Sequence, residues 1–241
     1  MQQYFSDSKN NNTLYLSNDD LNHIKNVMRM KVNDEVIVVY DNTSYICSLN
    51  DDLLSCEIKS IFKPKENYPE FIVYVPLLSD EKMSYIFKHG AELGVTKYIV
   101  VQYEHCKYKL KKNDFEKKII RWNKILKEAC EQSYRTSKIM VEEIIEPKDI
   151  KSIANVNILC SLDKTDVKSI CKVLTTQNCN DTISLVFGPE GGLSTKEEDM
   201  LSSIGFIKTS LGSDVLRTQT VALMVSSIVK YLRESGHYEK H

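Results

Sequence analysis

A short glycine-rich stretch, Gly188-Pro189-Glu190-Gly191-Gly192, has the residue types of a ligand-binding turn. It follows the apolar run 183–187 and precedes Ser194, with Glu197 at the spacing of a helix capping box. Glycine tolerates positive φ and lets a ligand approach the main chain, and proline stiffens a turn. Because Glu190 would repel phosphate, a cationic or hydroxyl-rich ligand suits this turn better than an anion. A tight strand-to-helix connection without a ligand is the alternative.

A second turn of this kind, Gly212-Ser213-Asp214-Val215-Leu216-Arg217, lies between a predicted strand over 206–211 and a predicted helix over 218–233. That helix is apolar on almost every side. A helix with apolar residues all round must be buried from several directions, which at a chain terminus indicates packing on its own sheet and on a partner subunit. We therefore expect the last helix to take part in a homodimer.

A third group of chemistry-bearing residues lies on a predicted helix over 113–135. Gln132 and Arg135 are three residues apart on one helix face, so both side chains can point into one site. Between Lys107 and Lys127 nine basic residues accompany two acidic ones, a cationic segment that can bind phosphates non-specifically. An ordinary solvated helix face is the alternative interpretation of this segment.

The composition bounds the class of protein. The chain has 241 residues with 32 basic and 33 acidic side chains, so net charge alone gives no support for a nucleic-acid partner. Its seven cysteines form no CxxC pair, so neither a zinc site nor a disulfide framework is predicted, and the odd count suits a reducing cytoplasm. The N-terminus lacks the apolar core of a signal peptide, and no run is long enough to span a membrane. We expect a cytoplasmic protein that uses no metal.

Residues 1–66 predict a small β-rich domain. One helix is expected from Asn18 or Asp19 to Val27. Short alternating runs around it predict strands over 13–16, 35–40, 44–49 and 53–62. Several short strands joined by tight turns favour a small barrel. The polar stretch 63–69 contains two prolines, and the periodicity changes across it, so we place the domain boundary there.

Residues 70–241 predict a second domain, in which strands alternate with helices. The predicted strands are 71–78, 97–103, 139–145, 156–162, 183–187 and 206–211. The predicted helices are 81–93, 113–135, a short one from Pro147, 166–174, one from Ser194, and 218–233. Trp122 belongs to the apolar stripe of its helix and is predicted to lie in the core. This alternation predicts an α/β domain with a largely parallel sheet and helices on both faces, and connection rules favour an unknotted path.

The two turns and three further motifs resemble a known family. GPEGG followed by SLGSDVLRTQT resembles the signature of the SPOUT superfamily of S-adenosylmethionine-dependent RNA methyltransferases. It is most similar to the RsmE family, which methylates N3 of a uridine in 16S ribosomal RNA and has the string GPEGG(F/L)S..E, then LG..(I/V)LR.ETA. HIKNVMRMKVNDEVIVVYDN, KHGAELGV and EACEQSYR resemble other motifs of that family in the expected order. Gln219 and Val221 depart from its glutamate and alanine, and Asn33 stands at its glycine.

The resemblance implies a fold and a cofactor. The implied fold is α/β, a SPOUT-type, trefoil-knotted parallel sheet domain with an N-terminal PUA-like β-barrel domain that binds RNA. The implied cofactor is S-adenosylmethionine, with no metal. By the same resemblance, the cofactor contacts come from Leu162, Gly188, Glu190, Gly191, Gly192, Leu211, Gly212, Val215 and Leu216.

The resemblance also implies residues that contact RNA. Arg217, Arg135 and Gln132 are candidates for holding the target base, an arginine favouring its deprotonated form, and no general base is assigned. Arg29 and Lys31 are the candidate RNA contacts of the barrel. The implied partners are 16S rRNA, in the assembled small ribosomal subunit, and a second copy of the chain.

Two other functions stay open at this point. Gln219 and Val221 motivate a non-catalytic RNA-binding protein that keeps the SPOUT fold. A sibling enzyme that methylates a ribose 2′-hydroxyl is the second alternative. The string VMRMKVND argues against that sibling, because it fits the family that methylates uracil N3.

Overall fold

The computed structural model describes residues 1–65, 69–162, 167–175 and 180–238. The chain divides into an N-terminal unit, Met1–Asn67 with Cys130–Lys138, and a second unit, Tyr68–Ala129 with Ile139–His241. The segment 130–138 is predicted from the sequence to belong to the second domain, whereas its contacts group it with the first 67 residues. This grouping arises from long-range contacts of the backbone, which carry no periodic signal in the sequence.

The N-terminal unit is built on a six-stranded sheet in the order β1-β4-β5-β6-β3-β2. Its strands are β1 (Gln3–Phe5), β2 (Ser8–Asn10), β3 (Thr13–Tyr15), β4 (Glu35–Tyr40), β5 (Thr43–Leu49) and β6 (Ser55–Lys63). Strand β1 pairs with β4 in parallel, and the other neighbours are antiparallel. The sheet curls into a half-barrel whose edges are β1 and β2. Neither edge strand is predicted from the sequence, because each has three residues and β2 is exposed throughout.

The connection between β3 and β4 begins as an α-helix and continues as a π-helical turn. Helix α1 (Asn18–Asn22) is capped by Ser17, whose side chain accepts a hydrogen bond from the backbone N–H of Asp20. The residues His23–Met28 then widen into a π-helix, a local form that the sequence analysis merged into one helix. Asn33, which stands at the family's glycine, has a φ of 68°, a left-handed value that asparagine tolerates better than most residues.

The half-barrel has a compact apolar core. Strands β1, β3, β4, β5 and β6 and the π-helical turn all contribute side chains to it. The core residues are Tyr4, Leu14, Leu16, Ile24, Val36, Val38, Cys47, Leu49 and Cys56.

The second unit is built on a seven-stranded sheet in the order β11-β13-β10-β12-β7-β8-β9. Its strands are β7 (Phe71–Pro76), β8 (Lys97–Val101), β9 (Val141–Ile145), β10 (Val156–Cys160), β11 (Lys168–Ser169), β12 (Ile183–Phe187) and β13 (Ile207–Ser210). Each neighbouring pair in this sheet is parallel, which confirms the predicted parallel α/β domain. The trefoil knot implied by the resemblance stays a prediction.

The helices of this unit alternate with its strands. They are α2 (Asp80–Glu92), α3 (Lys112–Gln132), a 3-10 turn (Pro147–Asp149), α4 (Ile170–Thr175), α5 (Thr195–Ser203) and α6 (Thr218–Tyr238). The helix predicted over 166–174 is replaced by the short strand β11 followed by α4, because Lys168 and Ser169 pair with β13. Residue 166 of that prediction lies outside the described residues. No helix in the described part of the chain is long and apolar enough to cross a membrane.

The central strands of this sheet are covered on both faces. All residues of β7 and β12 are buried, the pattern expected of inner strands in a parallel sheet. Trp122 of α3 is 1% exposed, which confirms its predicted place in the core. Its ring packs edge-on against Phe87 of α2 at a centroid distance of 5.9 Å. This packing fixes the frame from which the loops at the carboxyl ends of the strands extend.

Two cations of the segment 107–127 are neutralised by an aspartate at the start of α2. Lys118 Nζ lies 2.8 Å from Asp80 Oδ1, and Arg121 Nη1 lies 2.8 Å from Asp80 Oδ2. The hydrogen bond from Lys118 outweighs partial burial and, with the nearby charges, holds the pKa of Asp80 below its ordinary value. Part of the predicted cationic segment therefore ties α3 to α2.

We predict that Asp80→Asn lowers the free energy of unfolding by about 1 kcal/mol at neutral pH, because it breaks both ion pairs. The folded-state pKa of Asp80 is depressed, so this stabilisation is present above about pH 4 and is lost as the pH falls through the folded value. Urea denaturation at several pH values measures it. The control is Glu81→Gln, which removes a charge from the same first turn of α2. The prediction is contradicted if Asp80→Asn and Glu81→Gln lower the free energy of unfolding equally. It is also contradicted if the difference between the two variants persists in acid.

Candidate functional site

A cavity of about 600 Å³ lies at the carboxyl ends of β10, β12 and β13. Its walls come from the segments 160–162, 187–193 and 210–219, each of which directly follows one of these strands. Parallel strands that share one edge bring their carboxyl-terminal loops together, and this edge is where open α/β sheets bind ligands. The volume suits a small organic molecule.

All nine residues predicted to contact the cofactor line this one cavity. They are Leu162, Gly188, Glu190, Gly191, Gly192, Leu211, Gly212, Val215 and Leu216. Arg217, which was predicted to hold the target base, lines the same cavity. The two glycine-containing turns, 188–192 and 212–217, therefore line one site.

A side chain is disfavoured at each of the three glycines of the first loop, for a different structural reason at each position. A Cβ on Gly188 would lie 2.9 Å from the carbonyl carbon of Gly192, and one on Gly191 would lie 2.9 Å from Cβ of His105. Gly192 has a φ of 75°, which a residue with a side chain adopts only with strain. The sequence analysis assigned these glycines to ligand approach, whereas the protein's own atoms fill the space beside Gly188 and Gly191.

Glu190 is held by an ion pair that crosses the cavity wall. Its Oε1 lies 2.5 Å from Nζ of Lys82 in the first turn of α2. Partial burial raises the pKa of Glu190, but the hydrogen bond and charge of Lys82 outweigh this, so the pKa lies below its ordinary value. Glu190 is therefore ionised at neutral pH. Lys82 lines the cavity too, and the sequence analysis missed it because only the tertiary fold brings α2 beside the loop.

A second carboxylate of the cavity belongs to the first turns of α5. The two oxygens of Glu198 accept hydrogen bonds of 2.8 and 2.9 Å from the Ser161 hydroxyl. Nζ of Lys208, on β13, lies 3.3 Å from Glu198 Oε2. The sequence analysis missed Glu198 and Ser161. Ser161 lies within the predicted strand 156–162 and Glu198 within the helix predicted from Ser194, so no local pattern marks either residue.

The capping box predicted at the start of α5 is present. Ser194 Oγ accepts a hydrogen bond from the backbone N–H of Glu197, whose Oε2 accepts one from the backbone N–H of Ser194 at 2.8 Å. The other oxygen of Glu197 accepts a hydrogen bond of 2.9 Å from the backbone N–H of Glu104. Glu197 is 7% exposed, and both of its carboxylate oxygens accept backbone hydrogen bonds. This side chain therefore has a structural role and anchors the glycine loop to the segment after β8.

The second loop presents apolar side chains at the cavity. Gly212 has a φ of 127°, and its backbone N–H donates to Ser210 Oγ at 3.3 Å, which closes the turn. Val215 is 78% exposed and Leu162, on the first wall, is 64% exposed. Apolar side chains this exposed beside a cavity are suited to pack against a flat ligand.

The start of α6 forms the remaining wall. The carbonyl of Arg217 accepts the first hydrogen bond of the helix, from the backbone N–H of Val221 at 3.0 Å. Arg217, Thr218 and Gln219 all line the cavity, so the positive end of the helix dipole faces it. Gln219 Oε1 is buried and has no hydrogen-bond partner in the described part of the chain. A buried acceptor without a partner is costly unless a ligand supplies a donor.

The other predicted RNA contacts belong to the N-terminal unit. Gln132 and Arg135 fall within Cys130–Lys138, and neither is among the described side chains that line the cavity. Arg29 and Lys31 are both exposed, at the end of the π-helical turn. Arg29 has a φ of 54°, a strained value for an arginine. The roles of these four residues stay predictions.

Two family models match successive regions of the chain. A model described as an RNA methyltransferase domain matches residues 65–230. A model described as an RNA methyltransferase PUA domain matches residues 16–59.

Two relatives that align over most of their length share one description. The ribosomal RNA small subunit methyltransferase E of Bacillus subtilis is 29% identical, over 97% of this chain and 98% of that protein. The enzyme of the same description from Buchnera aphidicola subsp. Schizaphis graminum is 31% identical, over 88% of each chain.

A solved structure shares the fold. The ribosomal RNA small subunit methyltransferase E of Neisseria gonorrhoeae, bound to S-adenosyl methionine, superposes with a TM-score of 0.81 at 23% identity. The superposition covers 96% of this chain and 98% of that one. With the match of both domains and the identity of the relatives, the chain belongs to the ribosomal RNA small subunit methyltransferase E family.

Proposed function

We propose that this protein transfers a methyl group from S-adenosylmethionine to N3 of a uridine in 16S ribosomal RNA, within the assembled small subunit. The observation that carries the proposal is the single cavity formed by the loops after β10, β12 and β13. Membership of the family gives the class of reaction, and the relatives' descriptions name the small-subunit ribosomal RNA.

The cavity fits S-adenosylmethionine by charge and by shape. That molecule carries a sulfonium and an ammonium group, both cationic, and a ribose with two hydroxyls. The carboxylates of Glu190, Glu198 and Asp214 line the cavity and complement such groups. Leu162 and Val215 offer apolar surface for a flat ring. A phosphate-rich cofactor would meet three carboxylates and is disfavoured.

Bound S-adenosylmethionine supplies an electrophilic methyl group on a sulfonium sulfur. The protein's own contribution is to hold the uracil and to favour loss of its N3 proton, because the neutral nitrogen has no free lone pair for attack. Arg217 and the amino terminus of α6 place positive charge at the cavity, which stabilises a deprotonated uracil. Gln132 and Arg135 are proposed to hold the same base, and no side chain is assigned as the general base.

The two predicted domains have separate roles in this proposal. Residues 1–66, with Arg29 and Lys31 as contacts, bind RNA, and residues 70–241 bind the cofactor and form the dimer. The exposed cations that remain in the segment 107–127 add phosphate contacts. Because its substrate is a ribosomal subunit, the enzyme acts in the cytoplasm.

We predict that intact small subunits are methylated faster than protein-free 16S rRNA, and that a short hairpin with the target uridine is methylated slowest. Few phosphate contacts at each site give weak binding, and a folded particle engages several sites at once. The measurement combines initial rates at fixed salt with mass analysis of the digested nucleosides. A 3-methyluridine product supports the proposal, a 2′-O-methyl product supports the sibling activity, and no product supports a non-catalytic RNA-binding protein. Equal rates on all three RNAs would contradict the substrate preference.

We predict that Arg217→Met lowers the rate of methyl transfer at saturating substrate about a hundred-fold, because it removes charge that stabilises the uracil anion. Arg217→Lys should recover part of the rate, since it keeps the charge and loses the planar donor group. Raising the pH should restore Arg217→Met more than the wild type, because the base then loses its proton without help. Calorimetry with S-adenosylmethionine is the control and should show similar affinities. A variant with full activity would remove Arg217 from the mechanism.

The exposed stripe of α6 supports a homodimer. Met224 and Tyr231 are 37% and 71% exposed, and with Thr220 and Ser227 they follow one face of the helix. The opposite face is buried, with Ala222, Val225, Ser226 and Val229 in the core. A face with two exposed large hydrophobic side chains and small hydroxyl residues between them, beside the cavity-lining start of α6, is suited to a second copy of the chain.

We predict a dimer in sedimentation at micromolar concentration, and a dissociation constant raised about ten-fold or more by Tyr231→Asp. A buried carboxylate at the centre of an apolar interface has no partner and opposes association. The matched control is Tyr108→Asp, another exposed tyrosine of the second unit outside α6. A wild-type monomer that methylates RNA at full rate would refute the dimer.

A further inference from the structure

Two aromatic rings lie side by side on the surface of the N-terminal unit. Phe62, at the end of β6, is 39% exposed, and Tyr134, just after α3, is 38% exposed. Their ring centroids are 6.4 Å apart with an interplanar angle of 53°. Large aromatic side chains gain stability when they are buried, so an exposed pair is a feature that folding alone does not favour.

The backbone of Tyr134 is strained. Its φ is 53°, in the left-handed region, where an aromatic residue is costly and where glycine or asparagine is the usual choice. This strained tyrosine lies between Gln132 and Arg135, the two residues predicted to hold the target base. A bulky aromatic side chain at a position suited to glycine is a further feature that folding alone does not favour.

The segment that carries Tyr134 is fixed in place by the first strand of the unit. The Tyr134 hydroxyl donates a hydrogen bond of 2.7 Å to the carbonyl of Met1. Gln3, which is 1% exposed, donates from Nε2 to the carbonyl of Arg135 at 2.8 Å. Lys138 pairs with Asp7 at 2.5 Å. These contacts hold the ring in one position, so a ligand would not have to order it on binding.

A lysine joins the two rings. Nζ of Lys63 lies 5.9 Å from the centroid of the Phe62 ring and donates a hydrogen bond of 3.4 Å to the carbonyl of Tyr134. Its positive charge therefore lies at the edge of the aromatic pair. Aromatic faces beside a cation are the combination with which proteins bind unpaired nucleotides, because bases stack on rings and phosphates pair with cations.

We propose that Phe62, Tyr134 and Lys63 form a stacking platform for an unpaired base of the RNA substrate. The platform rests on the RNA-directed activity proposed above and adds a second recognition site to it. The stacked base is assigned to a nucleotide other than the methylated one, because the proposed function already assigns the target base to Gln132, Arg135 and Arg217. Lys63 supplies the contact to its phosphate.

The test measures RNA binding directly, by fluorescence anisotropy with a labelled single-stranded oligouridylate and with an RNA duplex of equal length. Phe62→Ala and Tyr134→Gly should each weaken binding of the single strand about ten-fold and leave the duplex unchanged, because only an unpaired base can stack. Tyr134→Gly also relieves the backbone strain, but it removes the hydrogen bond to the Met1 carbonyl as well. Tyr134→Phe removes only that hydrogen bond and keeps the ring, so it should bind the single strand more tightly than Tyr134→Gly does.

Tyr15→Ala is the matched control, since Tyr15 is an exposed tyrosine of the same unit, 42% exposed and outside the platform. The platform is overturned if Phe62→Ala and Tyr134→Gly bind the single strand as tightly as the wild type does. It is also overturned if both variants lose as much affinity for the duplex as for the single strand. Calorimetry with S-adenosylmethionine separates this result from the proposed function. If the wild type fails to bind the cofactor, the methyltransferase proposal fails, whereas unchanged RNA binding in the variants sinks the platform alone.

Discussion

The parallel pairing of three strands is the constraint on which the candidate site depends. Strand β10 lies between β12 and β13, with Val156 opposite Ile183 and Ile158 opposite Ile207. In a parallel sheet all carboxyl ends face one edge, so this register places the segments 160–162, 187–193 and 210–219 around one cavity. Complete burial of β12 makes a shift of register costly, since a shift of one residue would turn each side chain to the opposite face. The position of the loops therefore follows from the core.

Two carboxylates of the cavity are paired with lysines. Glu190 is paired with Lys82, and Glu198 lies near Lys208 and accepts from Ser161. Each pair ties a loop to a helix or a strand, so the same carboxylates that complement a cationic ligand keep the walls of the cavity in place. An ion pair that is partly desolvated is geometrically demanding, and this favours one arrangement of the walls over others.

The sequence predicted the parts of the fold that have local signals. The strands 35–40 and 183–187 agree with the structure at both ends, and Ser194 caps its helix as its spacing with Glu197 predicted. Periodicity and capping depend on residues only a few positions apart, so they can be recognised in the sequence before the fold is known. Strand β1 and the grouping of 130–138 with the N-terminal unit depend on partners far along the chain, and no local pattern marks them. Lys82 likewise has no local signal, because only tertiary packing brings it to the cavity wall.

The departures at Gln219 and Val221 lie where charge matters most. Both residues line the cavity at the start of α6, beside Arg217. A glutamate at 219 would place a negative charge next to Arg217 and would partly cancel its field, whereas the neutral glutamine leaves the positive end of the helix uncompensated. The cost is the buried Oε1 of Gln219, an acceptor without a donor in the described structure. A ligand N–H can supply that donor, so the substitution exchanges charge for a directional hydrogen bond and is compatible with a working site.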